Sequence, residues 1–385
     1  MAARGIVMRG TEKEHICCGQ PLLVLWPRFA EEAGEERLRL VLSGVLATGR
    51  TGQMLRTAEE LQNFLEHKHI RCGQRLLAVC AVGEYGINLE LYRMLEVIRR
   101  RGCCLPGTFA GIIVDGSSEF YTKAVGREIA FTLNQAGSTL IGRPLVEGTG
   151  SLSNLLVTAR NQNRGLMEAY RWSAKDLTER LAAFRMPQPE KPEILCLNAS
   201  NAETSNTIAL WKMVRGHLED RIGIREISLR NGQIRDCAGC SYDTCMYFSR
   251  KSTCYYGGTI AEEVYPAMEH CSALLLLCPN YNDALGANLT AFINRLTALF
   301  RKQPFSEKLL FSIIVSGYSG SDLLAKQLID GLCMNKSFIL PSGFALTETA
   351  NEKGSVLRIE GIEKEAEEYA AHILELLCPE LPGGE

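Results

Sequence analysis

The chain lacks any window approaching the roughly 20 apolar residues of a membrane span, and its opening MAARGIVMRGTEKEH has no apolar core of the length a secretion signal needs. It lacks an excess of either charge: 42 Lys and Arg against 44 Asp and Glu leave a formal charge of -2. That removes the electrostatic footprint of a nucleic-acid binder. With 46% apolar and 22% charged residues, disorder and a polyacidic tail are excluded as well. The tightest basic run, Arg99 to Arg101, falls where an amphipathic helix would end, as suits a solvated helix C-terminus. The expectation is a soluble, cytoplasmic protein with no nucleic-acid or membrane partner.

The spacing of a disulfide scaffold is missing too. Fifteen cysteines, mostly single within apolar runs such as Cys80, Cys196 and Cys278, look like thiols of a reducing compartment acting as small core residues. The adjacent pairs Cys17, Cys18 and Cys103, Cys104 are assigned no role, since neighbours along the chain chelate poorly by themselves.

What the chain has is length and repetition. At 385 residues two domains are expected. MPQPEKP, Met186 to Pro192, with three prolines in seven residues, is the linker between them. Before it, SAKDLTERLAAF reads as a terminal helix over Ser173 to Phe184, capped by Ser173. Across it a pattern returns: LLAVCAVGEYGINL from Leu76 has its echo in LLLLCPNYNDALGANL from Leu274, with Gly86 answering Gly286 and Asn88 answering Asn288. Further on, GIIVDG ending at Gly116 matches SIIVSG ending at Gly317.

The second half predicts strands at Glu193 to Asn198, Arg225 to Leu229, Ala273 to Cys278, Leu309 to Ser316 and Ser337 to Leu340. Helices are expected near Thr204 to His217, Thr259 to His270, Leu289 to Phe300, Ser321 to Leu332 and Ile362 to Leu377. Five short apolar strands separated by helices mean a parallel sheet covered on both faces. The fold class is α/β, two flavodoxin-like doubly wound sheets in tandem, with domains at 1–186 and 193–385. Ligands of such sheets sit beyond the carboxyl ends of the strands.

Three loops at those ends are informative. NASNAETSNT, Asn198 to Thr207, places hydroxyls and amides at the start of a helix, where free amide groups and the helix dipole favour a phosphate. An ordinary N-cap would show the same residues. PNYNDALGAN, Pro279 to Asn288, offers an aromatic face between amides that could hold a planar ring, or is a surface turn carrying a tyrosine. SGYSGS, Ser316 to Ser321, has glycines that let the backbone approach a flat ligand.

Between the second strand and the next helix lies CAGCSYDTCMYFSRKSTC, with Cys237, Cys240, Cys245 and Cys254 in the spacing C-x2-C-x4-C-x8-C. Thiolates at that density repel one another unless a cation or a covalent bond links them. An S4 set suits an iron-sulfur cluster or zinc and cannot by itself choose between them; free or disulfide-linked cysteines are the remaining reading.

In combination and order, these loops resemble those of the NADPH-dependent FMN reductases, and more narrowly the iron-sulfur flavoproteins. The family's first loop, Gly-Ser-x-Arg-x-x-x-Asn-Thr, takes the FMN phosphate, which the resemblance assigns here to Ser200, Ser205, Asn206 and Thr207. Its Pro-x-Tyr loop, bordering the isoalloxazine, matches Pro279, Asn280, Tyr281 and Asn282, and Ser316, Gly317 and Tyr318 complete the cofactor set. Phe292, Ile293 and Arg295 stand in register with the helix that follows in the family. Two departures weigh against tight FMN binding: Ala199 replaces the loop glycine and Ala202 the arginine. The N-terminal half has Ala81, Val82 and Gly83 where Pro279, Asn280 and Tyr281 stand, and is a degenerate copy.

The resemblance implies an NAD(P)H-dependent flavin oxidoreductase that takes a hydride from a reduced nicotinamide, or electrons from a redox protein. No separate acid-base residue is expected to be indispensable. The four cysteines would ligate a 4Fe-4S cluster passing single electrons, a zinc being the lesser option. A homodimer is the family's usual arrangement, and the flavin-free copy could serve as a built-in partner. The rival readings are a non-enzymatic electron carrier or redox sensor, and a scaffold without flavin in either half. The acceptor, and the choice of NADH or NADPH, are not encoded legibly.

Overall fold

The computed structural model describes residues 21–30, 32–46, 51–68, 70–230 and 234–379; the opening stretch and the Cys17, Cys18 pair lie outside them. The described chain divides into two compact units, one of residues 21–185 with 341–343, the other of 186–340 with 344–379.

In the N-terminal unit β1 (Leu22–Leu25), β2 (Thr51–Leu55), β3 (Arg75–Val82), β4 (Thr108–Gly116) and β5 (Ser138–Gly148) form one sheet in the order β2-β1-β3-β4-β5. Every pairing is parallel. β3 and β4 are buried at every residue, which is why they read as unbroken apolar runs rather than alternating ones. Around them pack α1 (Glu36–Leu46), α2 (Ala58–His67), α3 (Leu89–Arg101), α4 (Thr122–Gln135), α5 (Leu156–Gln162) and α6 (Leu166–Ala183). Arg99, Arg100 and Arg101 occupy the last turn of α3, where they oppose the helix dipole.

The C-terminal unit repeats the plan with β6 (Glu193–Asn198), β7 (Gly223–Ser228), β8 (Ala273–Pro279), β9 (Leu309–Ser316) and β10 (Ala345–Thr349), in the order β10-β9-β8-β6-β7. Read from the other edge this is the same 2-1-3-4-5 sequence, the flavodoxin-like order, with its switch point between the first and third strands. Its helices are α7 (Asn206–Gly216), α8 (Tyr242–Ser249), α9 (Tyr265–His270), α10 (Ala287–Lys302), α11 (Ser321–Leu328) and α12 (Ile362–Leu377). The buried residues Leu289, Phe292, Leu296 and Leu299 form one stripe of α10 at helical spacing.

Two local expectations are corrected. Ser173 is not a cap: α6 begins at Leu166, and the Ser173 hydroxyl donates to Ala169 O one turn back at 2.8 Å. Ser337 to Leu340 contributes only a bridge, Ile339 to Leu309, and the fifth strand continues at β10 after an excursion. Pro341 has no N–H to extend the ladder and Gly343 turns the chain at φ 59.

Candidate functional site

The first loop leaves β6 and is turned by Asn201, whose backbone oxygen accepts from Thr204 and Ser205 N–H. Ser205 then caps α7, accepting from Ile208 N–H at 3.3 Å. Asn206 is 8% exposed and its amide donates to Ala350 O (3.1 Å) and Glu352 O (2.8 Å), tying the head of α7 to the loop after β10. Thr207 is buried beside it. Ser200 is 2% exposed, and its hydroxyl has no hydrogen-bond partner among the described residues; the Asn206 side-chain oxygen is in the same state. Buried polar atoms are nearly always paired, so both carry unused bonding capacity, the Ser200 hydroxyl as a donor and the Asn206 oxygen as an acceptor.

The second and third loops are sewn to each other. Asn280 donates to Ser316 Oγ (3.2 Å) and Ser319 O (3.0 Å) and accepts from Asp283 N–H (2.8 Å). The Ser316 and Ser321 hydroxyls lie 2.8 Å apart. Gly320, at φ 94, comes so close to Asp283 and Asn280 that a Cβ would fall 2.3 Å from Asp283 Oδ1, so only glycine fits. The side chains left facing outward are Tyr281, 56% exposed, and Tyr318, 80% exposed, whose hydroxyl accepts from Asn351 at 3.2 Å. Pro279 ends β8, Asn282 takes a left-handed turn at φ 54, and Gly317 lies against Asn351. Asn351 and the 350–352 loop were not foreseen, because the break in the fifth strand hid where its carboxyl end falls.

The corresponding positions of the N-terminal unit are filled by the chain itself. Arg37, second residue of α1 as Thr207 is of α7, grips Asp115 through Nε (2.9 Å) and Nη2 (3.0 Å). It also donates to Gly116 O (2.8 Å) and Gly150 O (2.9 Å). Asp115, the penultimate residue of β4, answers Ser316, the last of β9, in the repeat of GIIVDG and SIIVSG. Burial pushes its carboxyl up despite the Arg37 pair. Just before α1 the Glu35 carboxylate, 1% exposed, accepts from Phe29 N–H (3.0 Å), Arg56 (2.7 Å) and Arg39 (3.0 Å). Burial raises its proton affinity, yet the two guanidiniums and the amide outweigh that and hold it below the usual carboxylate range.

The four cysteines gather away from these loops. Cys237, Cys240, Cys245 and Cys254 line one cavity of about 160 Å³ together with Phe248, Tyr255 and Tyr256 of their own loop and Asn294, Arg295 and Arg301 of α10. Asn294 is seven residues past the start of α10, so the cavity lies about 10 Å or more along that helix from the loop after β8. None of the residues around it comes from the three loops at the strand ends. The loop is anchored at its entry by Asn288, which donates to Leu229 O at 2.5 Å; its counterpart Asn88 caps α3 instead. Tyr256 contacts the Cys240 sulfur at 3.8 Å, and that hydrogen bond raises the phenol. Burial raises the Cys245 thiol, opposed by Arg301 and reinforced by the charges of Cys240, Cys254 and Cys237. Among the described residues no three His, Cys, Asp or Glu converge to hold a single metal ion, and no His, Asp or Glu lines the cavity. No helix among them is long and apolar enough to cross a membrane.

Residues 192–352 match the model of a family described as NADPH-dependent FMN reductase, a span that contains all three loops and the four cysteines. No curated protein matches the chain. Solved structures similar to it include an FMN-dependent NADH-azoreductase from Bacillus anthracis in complex with FMN, at 12% identity and TM-score 0.34, over 47% of this chain and 99% of that one. An NAD(P)H:quinone oxidoreductase from Methanothermobacter marburgensis gives 10% and 0.37, over 51% and 99%. The Trp repressor binding protein from Bacillus subtilis gives 18% and 0.32, over 45% and 95%. At such values the architecture rests on the strand order of the two sheets.

Proposed function

From the match of residues 192–352 to the NADPH-dependent FMN reductase family model, we propose that the C-terminal unit binds FMN and works as an NAD(P)H-dependent flavin oxidoreductase. The observation that carries this reading is the buried, unpartnered Ser200 hydroxyl beside the head of α7, within the matched span. A phosphate there would accept from Ser200 and from the free amide groups of the α7 N-terminus, on the favourable end of its dipole. Ala199 and Ala202 leave the first loop without a cation of its own, so helix and hydroxyls carry the anion. Asn280, held by Ser316 and Ser319, keeps the second and third loops at a fixed separation, and Tyr281 and Tyr318 present ring faces at the rim. FMN, when bound, supplies the hydride acceptance and the one- or two-electron transfer. The chain's part is to orient the ring and shield one side of it.

The four-cysteine cavity supports the finer reading that an iron-sulfur cluster accompanies the flavin. Its donors are all thiols, the ligand type of an iron-sulfur cluster. Arg295 and Arg301 supply positive charge against an anionic cluster. The test is anaerobic purification followed by a visible spectrum, iron and sulfide analysis, and NADH and NADPH oxidation by the FMN-loaded chain with an artificial acceptor. Steady turnover supports the oxidoreductase. Bound flavin with no turnover on either nicotinamide would favour the carrier or sensor.

A further inference from the structure

The four-cysteine loop is closed at both ends by one side chain. Arg295 is 1% exposed; its Nη1 donates to Arg235 O (3.3 Å), two residues before Cys237, and its Nη2 to Gly257 O (2.6 Å), three residues after Cys254. Gly257, at φ 52, makes this reach: its N–H closes on Cys254 O at 2.9 Å and the left-handed turn brings its carbonyl to Arg295. The neighbouring Asn294 donates to Asp236 Oδ1 (2.9 Å), which also accepts from Cys237 N–H (2.6 Å). One donor remains. Arg295 Nε is buried, has no hydrogen-bond partner among the described residues, and belongs to a side chain lining the cavity of the four thiols. A buried charged donor left without an acceptor is strongly unfavourable, and the Tyr256 ring, 6.0 Å from the guanidinium, offers only a face, so its placement there calls for an acceptor that the described residues do not supply.

We propose that Arg295 is the positioning residue of the four-cysteine centre: its two terminal nitrogens close the loop, and its Nε–H donates to an anionic sulfur of the group held inside. The inference rests on the iron-sulfur reading of the cavity. A hydrogen bond to cluster sulfur favours the more negative, reduced state, so Arg295 raises the reduction potential as well as the affinity. Arg301 lines the same cavity with its guanidinium over the Tyr242 ring, 4.6 Å from the centroid, and makes no such closure.

The test compares the full chain with R295M, R295K and R301M after anaerobic reconstitution with iron and sulfide. Iron and acid-labile sulfide per chain, the midpoint of a redox titration followed in the visible, and FMN binding as a check on folding are read together. R295M is expected to take up iron about 10- to 100-fold more weakly, as loss of a supporting partner does, and to shift the midpoint of any remaining centre to more negative potential. R295K keeps the charge but not the fork or the Nε donor, and is expected to share the negative shift; R301M, which removes a charge without opening the loop, should weaken iron uptake less than R295M. If R295M loses FMN binding as well, R295K decides. Iron content and midpoint unchanged in R295K, with FMN bound, would overturn the inference alone. A wild-type chain that binds FMN but takes up no iron would overturn the cluster reading, and the inference with it.

Discussion

The two units carry the same strand order, yet they end differently at the carboxyl edge. In the N-terminal unit Glu35 and Asp115 are buried carboxylates answered by Arg56, Arg39 and Arg37, and the head of α1 is bridged to the loop after β5 by Arg37. In the C-terminal unit Ser316 and Thr207 take the places of Asp115 and Arg37, Asn206 makes the corresponding bridge, and Ser200 keeps a buried hydroxyl without a partner among the described residues. One scaffold has internalised its charges; the other has kept donors available. On the reading proposed above, the anion site is the Ser200 donor that one unit leaves unused, and the Arg37–Asp115 pair stands at the matching place of the other.

The comparison breaks most sharply at Arg37. R37M would leave Asp115 buried without its counter-charge and is expected to lower the stability of the N-terminal unit by about 3–5 kcal/mol. Urea unfolding followed by Trp26 and Trp172 fluorescence measures it. The double variant R37M/D115S, which installs the serine of the other unit, should recover most of the loss; no recovery would mean that Arg37 acts by packing alone. In the C-terminal unit S200D places a carboxylate where the phosphate is proposed, and FMN should bind at least about 100-fold more weakly, a change of about 2.7 kcal/mol. S200A removes one bond to a charged group, worth about 1.5–3 kcal/mol, and should weaken binding about 10- to 100-fold. Both are read by quenching of FMN fluorescence. N206A removes the two ties to the 350–352 loop and should cost about 1–3 kcal/mol, seen in the transition that Trp211 reports.

The smallest expected effect concerns a glutamate shared by both copies. Glu147 pairs across from Val114 and Glu348 from Val315. Glu147 has Lys123 at 3.6 Å, whereas Glu348 is partly buried beside Glu365. Burial, then the hydrogen bond and like charge of Glu365, push the Glu348 carboxyl up to about 7. A raised carboxyl holds its proton more tightly when folded, so its contribution is present at acid pH and is lost as pH rises from the ordinary carboxylate range through about 7. The C-terminal unit should therefore melt slightly lower at pH 8 than at pH 6, and E348Q should flatten that difference. An unchanged slope in E348Q would remove the glutamate from the account.

Much of this organisation is legible in the chain. Fully buried parallel strands such as β3 and β9 are continuous apolar runs, and α12 falls on its expected span because its apolar period is uninterrupted. The duplication shows in Gly86 and Gly286, although they are used differently: Gly86, at φ 73, lies against Tyr121, where any Cβ would clash, while a Cβ at Gly286 would meet only the Tyr281 ring at an ordinary 4.0 Å. Less legible was what depends on partners distant in sequence. Ser173 resembles a cap in the sequence although the turn upstream of it is helical too, and the sequence points to 337–340 rather than to β10 because Pro341 interrupts the strand. The four cysteines announced themselves by spacing, whereas their position along α10 and their closure by Arg295 follow from bonds spanning 38 and 60 residues.

The central claim is that one unit binds FMN and the other has closed its site. FMN titrated anaerobically into the full chain, with bound flavin measured after release, tests it most directly. The account predicts one FMN per chain, lost in S200D and kept in R37M/D115S. Two flavins per chain, or none, would contradict it.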